Sequence, residues 1–347
     1  MKNLVERAGL LCIISTLVVL MAVAVHVSPF TSGGGGFLLT LLFWISVVEG
    51  CVAIAMIGDI VKAKWTGALK GRLLSVYPLI PVLGLLFMVF GLSLSSYPWS
   101  HEEGLWLNRW FFLGRNVLVL ILAYLAARKY VSLSDAGEEK RQIFGVIYLF
   151  LFVLSQSLVA FDWVMSLEYP WVSTLFGGYF FIESVFSGLA VAGVIYFFLY
   201  TGKGSDSGSA APFVLNDLGT LIFGFSLLWA GLFYSQFLVL WYGNLPEEVS
   251  FLVKRVSSPP LNILSWGVLA HFFFIPFITL MTKKRKNNPH VVFFVSLTVL
   301  TGILLERFVF LAPVIQVEPG SFVINFFAFL LLFTYVISRN SEHDSSE

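Results

Sequence analysis

Apolar residues in this chain come in long runs, separated by short stretches of Gly, Pro, Ser and charged residues. A helix that crosses a bilayer needs ~20 mostly apolar residues. Ten runs meet that need, at 8–27, 37–59, 73–95, 108–127, 143–165, 172–200, 217–243, 259–282, 291–310 and 321–338. The pattern predicts an all-α integral membrane protein of about ten transmembrane helices, one membrane domain over 1–347. Loops this short hold no soluble domain. Gly33 to Gly36 are expected to form the first loop, and the Gly/Ser-rich run from Thr201 to Ala211 a flexible connector.

The first run has a second reading. Lys2 and Arg7 precede an apolar stretch that ends near Ala22-Val23-Ala24, as in a signal peptide. It is longer than the roughly 7–15 residues of a signal-peptide core, which favours a retained helix.

Composition narrows the class. Of 347 residues 58% are hydrophobic and 12% charged, against roughly 25% charged in soluble domains. A net charge of +1 points to no acidic or basic partner in bulk, and none of the features of a nucleic-acid binder is present.

Basic residues give an orientation, because loops on the cytoplasmic side are richer in Lys and Arg. Counting loops alternately puts Lys2, Arg7, Lys62, Lys64, Lys70, Arg72, Arg128, Lys129, Lys140, Arg141, Lys203, Lys283, Lys284, Arg285, Lys286 and Arg339 on side one, 16 of 21. Side two receives Arg109, Arg115, Lys254, Arg255 and Arg307. A missed helix would invert part of this count. Side one is read as the cytoplasm, which places both termini there, including a short tail at 340–347.

Ionisable groups at bilayer depth cost ~2.5–3.5 kcal/mol on insertion scales and are functional candidates by default. Glu49 and Glu183 fall near the middle of the second and sixth runs, and His271 near the middle of the eighth. Ser46 and Ser187 lie one turn from the two acids on the same helical faces. Arg115, Asp162, Glu306 and Arg307 are nearer side two, with Glu306 and Arg307 expected at the interface. Asp162 shares a face with Ser155, and Asn116, Gln156, Tyr234 and Gln236 add hydrogen-bonding capacity. The two deep acids open matching groups of helices. This suggests two four-helix bundles, 37–165 (helices two to five) and 172–310 (helices six to nine), flanked by helices one and ten.

Two readings of these groups stand side by side. Buried carboxyls and a His can relay protons along water chains, so Glu49, Glu183 and His271 form a candidate relay. They can equally be neutral, hydrogen-bonded links between helices. Arg115 and Asp162 can simply neutralise each other.

Several chemistries are excluded. Cys12 and Cys51 are too few for an iron–sulfur cluster or a structural zinc, and no metal site is expected. No CxxCH is present, so no cofactor is expected to be covalently bound. Of five histidines only His271 is deep, which argues against a bis-His haem. No Walker or HExxH motif occurs. Trp99, Trp106, Trp110, Trp163, Trp171, Trp241 and Tyr242 fall near predicted interfaces, as in an aromatic belt.

Two stretches are more specific. One runs Ala160-Phe161-Asp162-Trp163-Val164-Met165-Ser166-Leu167-Glu168, then through Trp171, Ser173, Phe176-Gly177 and Tyr179-Phe180 to Ser187-Gly188-Leu189. The other runs from Asp217-Leu218-Gly219 through Phe223, Trp229 and Tyr234-Ser235-Gln236-Phe237 to Trp241-Tyr242-Gly243-Asn244-Leu245-Pro246-Glu247-Glu248. Together they resemble the NrfD/polysulfide-reductase-type membrane subunits, most of all the second NrfD-like subunit of bacterial alternative complex III, a quinol:cytochrome c oxidoreductase. The likeness covers roughly a quarter of the chain.

The resemblance implies a haem-free, ten-helix subunit of the bacterial inner membrane, beside a sister NrfD-like subunit, an iron–sulfur protein and multihaem cytochrome c subunits. Its role would be structural and proton-conducting. By motif, Asp162, Glu168, Asp217, Asn244 and Glu247 match family-typical positions. An alternative is a subunit that itself binds quinone or quinol, with Asp162, Glu168, Arg115 and Trp163 as the pocket rim. Against that rim stands an ordered loop capped by carboxylates. Asn244 and Glu247 would brace a side-two loop or contact a partner. A lesser alternative is a secondary transporter, with Pro78, Pro81 and Pro276 as candidate helix breaks.

Overall fold

The computed structural model describes residues 34–67, 69–91, 94–133, 138–201 and 211–343. The first apolar run, with Lys2, Arg7 and the signal-peptide question, lies outside these residues, as do Lys203 and 344–347. Nine helices long and apolar enough to cross a membrane are present among the described residues, and no strand. The chain is an all-α, multi-pass membrane protein.

The spans are α1 Gly35–Ile60, α2 Lys70–Phe90, α3 Arg109–Ser132, α4 Glu138–Glu168, α5 Leu175–Thr201, α6 Ala211–Gly243, α8 Leu261–Leu280, α9 Pro289–Leu311 and α10 Pro319–His343. A short helix, α7 Pro246–Val256, lies on side two between α6 and α8. Gly34 takes a left-handed φ of 71° and α1 begins at once, so Gly35 and Gly36 form its first turn rather than a loop. α10 runs to His343, through the start of the stretch expected to be a tail.

α1 is apolar on every side, the mark of a helix surrounded by others. Every residue from Gly35 to Met56 is buried, packed by α2, α4, α5, α9 and α10. Lipid is as apolar as Leu, so close packing and hydrogen bonds must hold such helices together. Small residues let α1 and α5 meet backbone to backbone. A Cβ on Gly50 would collide with the Ser184 carbonyl, and one on Gly188 with the Gly50 carbonyl.

The side-one ends of the first four spans are tied by one acid. Asp59, at the end of α1, accepts from Lys70 Nζ on α2, from Tyr130 OH on α3 at 2.6 Å and from Arg141 on α4 at 3.0–3.1 Å.

Two helices change winding. α4 passes through a π turn at Val159–Val164, and α8 through another at Ala270–Phe274. The second precedes Pro276, which offers no N–H to the Phe272 carbonyl; the wider turn absorbs that loss without ending the helix. Of the expected breaks, α2 has a turn at 76–78, next to Pro78, between Lys70–Ser75 and Leu79–Phe90.

Candidate functional site: two buried carboxyl clusters

The first cluster forms around Glu49, which is fully buried. Ser155 Oγ donates to its Oε1 at 3.0 Å, and Gln156 Nε2 to its Oε2 at 2.6 Å. Tyr148 OH donates to its backbone carbonyl at 3.1 Å. These partners all come from α4, and each is neutral. Gln156 Oε1 in turn accepts from Ser184 Oγ on α5 at 2.8 Å. The amide therefore bridges the carboxyl of one helix to the hydroxyl of another. Ser46 instead bonds the Leu42 carbonyl, and Ser187 donates across the α1–α5 contact to the Ser46 carbonyl at 3.1 Å.

The second cluster forms around Glu183, the residue next to Ser184. Trp229 Nε1 on α6 donates to its Oε1 at 2.9 Å. Arg307 Nη2 on α9 lies 2.6 Å from its Oε2, an ion pair off the line of a good hydrogen bond. Arg307 Nη1 also reaches Glu306 Oε2 at 3.2 Å, and Tyr179 OH donates to Glu306 Oε1 at 2.8 Å. The guanidinium stacks over Phe180 at 3.8 Å. Glu306 and Arg307 are thus not at an interface: they are 3% and 0% exposed, inside the helix packing. Two carboxyls face one cation here, whereas Glu49 faces none among its observed partners.

A third network closes side two. Arg115 holds Asp162 with two bonds of 2.7 Å, and Asn116 Nδ2 adds one at 2.6 Å. Trp163 Nε1 donates to Asn116 Oδ1 at 2.9 Å, and its ring lies flat on Phe87 at 4.0 Å. Tyr97 OH donates to the Trp163 carbonyl at 2.9 Å. Ser155 and Asp162 serve different networks although they lie two turns apart. The π turn between them adds a residue to one turn and rotates the rest of α4.

Glu168 ends α4 and reaches α7. It accepts from Arg255 Nη2 at 2.5 Å and from Lys254 Nζ at 3.0 Å. Burial pulls the Arg255 guanidinium below its ordinary pKa, and Glu168 opposes that pull. Arg255 also donates to the carbonyls of Phe251 and Phe310, which pins α7 to α9.

The remaining candidates stand apart. His271 is half-buried on its π turn, with Nδ1 2.7 Å from the Gly267 carbonyl. No hydrogen bond among the described residues joins it to either glutamate cluster. Asp217 is half-buried near the side-one end of α6. Trp106, Trp110, Trp241 and Tyr242 are on the surface, but Trp99, Trp163 and Trp171 are buried, so only part of the expected aromatic belt faces outward.

The Trp-Tyr-Gly-Asn-Leu-Pro-Glu-Glu run is a helix stop and restart. Asn244 takes a left-handed φ of 45° just after α6, with its N–H on the Leu240 carbonyl at 3.0 Å. Pro246 then opens α7, with Glu247 and Glu248 in its first turn, where they favour the helix dipole. Asn244→Gly is therefore expected to leave stability within a few tenths of a kcal/mol. Asn244→Val should cost about 1–2 kcal/mol, the strain of a branched residue in left-handed backbone. Equilibrium unfolding in mixed detergent measures both.

Fold and site together define a class: a multi-pass, all-α membrane protein with carboxyl clusters between its helices. No protein-family model matches the chain, and comparison with curated proteins gave no match. Among the described residues, no group of three or more His, Cys, Asp or Glu is gathered as metal ligands.

Proposed function

We propose that the chain is a haem-free membrane subunit of a respiratory quinol:electron-acceptor oxidoreductase complex in the bacterial inner membrane, where it holds partners together and conducts protons. The complex would bring a sister NrfD-like subunit, an iron–sulfur protein and multihaem cytochromes c, with both termini of this chain in the cytoplasm. The motif resemblance supports the family. One observation carries the proton role: the Glu49 carboxyl is fully buried, faces neutral donors, and is bridged by Gln156 to Ser184, next to Glu183.

A carboxyl with neutral partners gains or loses a proton without breaking an ion pair. Glu183 and Glu306 share one Arg307, so charge balance in an apolar interior leaves room for one proton between them. Ser, Tyr and Gln side chains can relay protons only with water between them, so conduction along this track requires water to enter.

The test uses the native complex in proteoliposomes. Glu49→Gln and Glu183→Gln should each lower protons moved per electron at least several-fold, with the complex assembled and the partners co-purifying. Unchanged coupling in both assembled variants would end the proton reading. A stable lone chain that takes up a solute, with no cytochrome or iron–sulfur partner, would end the respiratory one.

A further inference from the structure

A cavity of about 460 Å³ opens near side two among α5, α6, α7, α8 and α9. None of Asp162, Glu168, Arg115 and Trp163, the expected quinone rim, lines it. Its walls are mostly aromatic, Trp229 and Trp266 among them, with Glu306 and Gln236 as polar points. Trp266 is 70% exposed, so the mouth faces the surface that the apolar spans present to lipid.

Two donors on this wall have no acceptor in the protein. They are Trp171 Nε1 and Arg255 Nε, on residues only 7% and 3% exposed. Both side chains pack on one ring, that of Phe251: the indole at 3.8 Å and the guanidinium at 3.5 Å. Native proteins seldom leave buried donors unpaired, because each forfeits its bond to water. Two orphans fixed beside one apolar cavity call for an acceptor from outside.

Charge selects the kind of acceptor. Glu168 already neutralises Arg255, and the Glu306 carboxyl on the same wall would repel an anion. A cation would meet the guanidinium. Flat aromatic walls suit a ring rather than a pair of acyl chains. We propose that this cavity binds an uncharged cyclic ketone drawn from the membrane, whose carbonyl oxygens accept from Trp171 Nε1 and Arg255 Nε. The site rests on the membrane fold and on these two donors. It goes beyond the proton-conducting reading and stands whether or not that reading survives.

The test is binding to the full chain in lipid nanodiscs, read as quenching of tryptophan emission. Three probes are compared: a short-chain alkyl-1,4-naphthoquinone, the matching alkylnaphthalene made quenching by a ring bromine, and a diacylglycerol with brominated chains. The ketone should quench saturably and bind about tenfold tighter than the hydrocarbon, the worth of one good hydrogen bond. Trp171→Phe keeps the ring and removes the donor, and should weaken the ketone several-fold. Leu269→Phe should fill the cavity and abolish saturable binding. Near-ultraviolet circular dichroism and melting confirm that both variants fold. Equal binding of ketone and hydrocarbon overturns the proposal, and so does non-saturable quenching. An unchanged Kd in folded Trp171→Phe does the same. Tighter binding of the diacylglycerol would assign the cavity to lipid esters and equally overturn it.

Discussion

Arg307→Met is expected to cost about 3–5 kcal/mol, the range for stripping one partner from a buried ion pair. The guanidinium is fully buried and stands between Glu183 and Glu306. Without it two carboxyls face each other in an apolar interior, where neither has water. The Trp229 and Tyr179 donors remain, but a neutral donor offsets only part of a buried charge. Equilibrium unfolding in mixed detergent gives the number. The double variant Arg307→Met/Glu183→Gln should regain much of the loss, because it removes a charge along with its counter-charge. A loss below about 1 kcal/mol in the single variant would mean that the cluster holds no charge that needs Arg307.

Glu49 and Glu183 were legible as deep acids because both sit mid-run in apolar helices. Their partners were not. Spacing within one helix pointed to Ser46 and Ser187, yet Glu49 is served by Ser155 and Gln156 from α4. Which helix faces which is a tertiary fact that hydropathy does not encode. Glu306 and Arg307 misled for a related reason. They stand only five and four residues from the end of α9 at Leu311, close enough to a terminus to suggest an interface. The fold covers that end with α5, α6 and α8, and the pair goes inside.

The side-two motifs are a second case. Trp99, Trp163 and Trp171 had the composition of a belt, but each ring is spent on packing. Asp162 is fully engaged by Arg115 and Asn116. Asn244 and Pro246 had a local signal that sequence alone can carry, since Asn tolerates left-handed backbone and Pro starts helices. The π turns had a weaker one. Pro276 marks the turn in α8. The turn in α4 contains no proline, and only the divergence of Ser155 and Asp162 reveals its effect.

The two acid clusters differ in what they can do. Glu183 is tied to a fixed cation, so a change in its charge disturbs Arg307 and Glu306 as well. Glu49 is tied to dipoles that can turn. A Ser hydroxyl rotates at little cost, and a Gln amide offers both a donor and an acceptor. That makes Glu49 the better proton carrier and Glu183 the better anchor. The distinction depends on α1 and α5 holding their register, since Gln156 can bond Glu49 and Ser184 together only while those helices touch.

The contact at Gly50 and Gly188 is where that register is set. Gly50→Ala places a methyl group into the Ser184 carbonyl, and Gly188→Ala places one into the Gly50 carbonyl. Neither clash is relieved by turning a side chain, because the obstacle is backbone. Each variant should therefore cost about 1–3 kcal/mol, and Gly50→Leu more, as overpacking does where nothing can yield. Gly224→Ala and Gly231→Ala on α6 are the controls. A Cβ there meets nothing within 4 Å, so both should stay within about 1 kcal/mol of the parent chain. The same displacement moves Ser184 away from Gln156. If the Gln156 bridge matters to proton movement, Gly50→Ala should lower coupling even in the fraction that remains folded. Full coupling in a folded Gly50→Ala variant would separate the two roles, leaving the glycine contact as packing and Glu49 independent of Ser184.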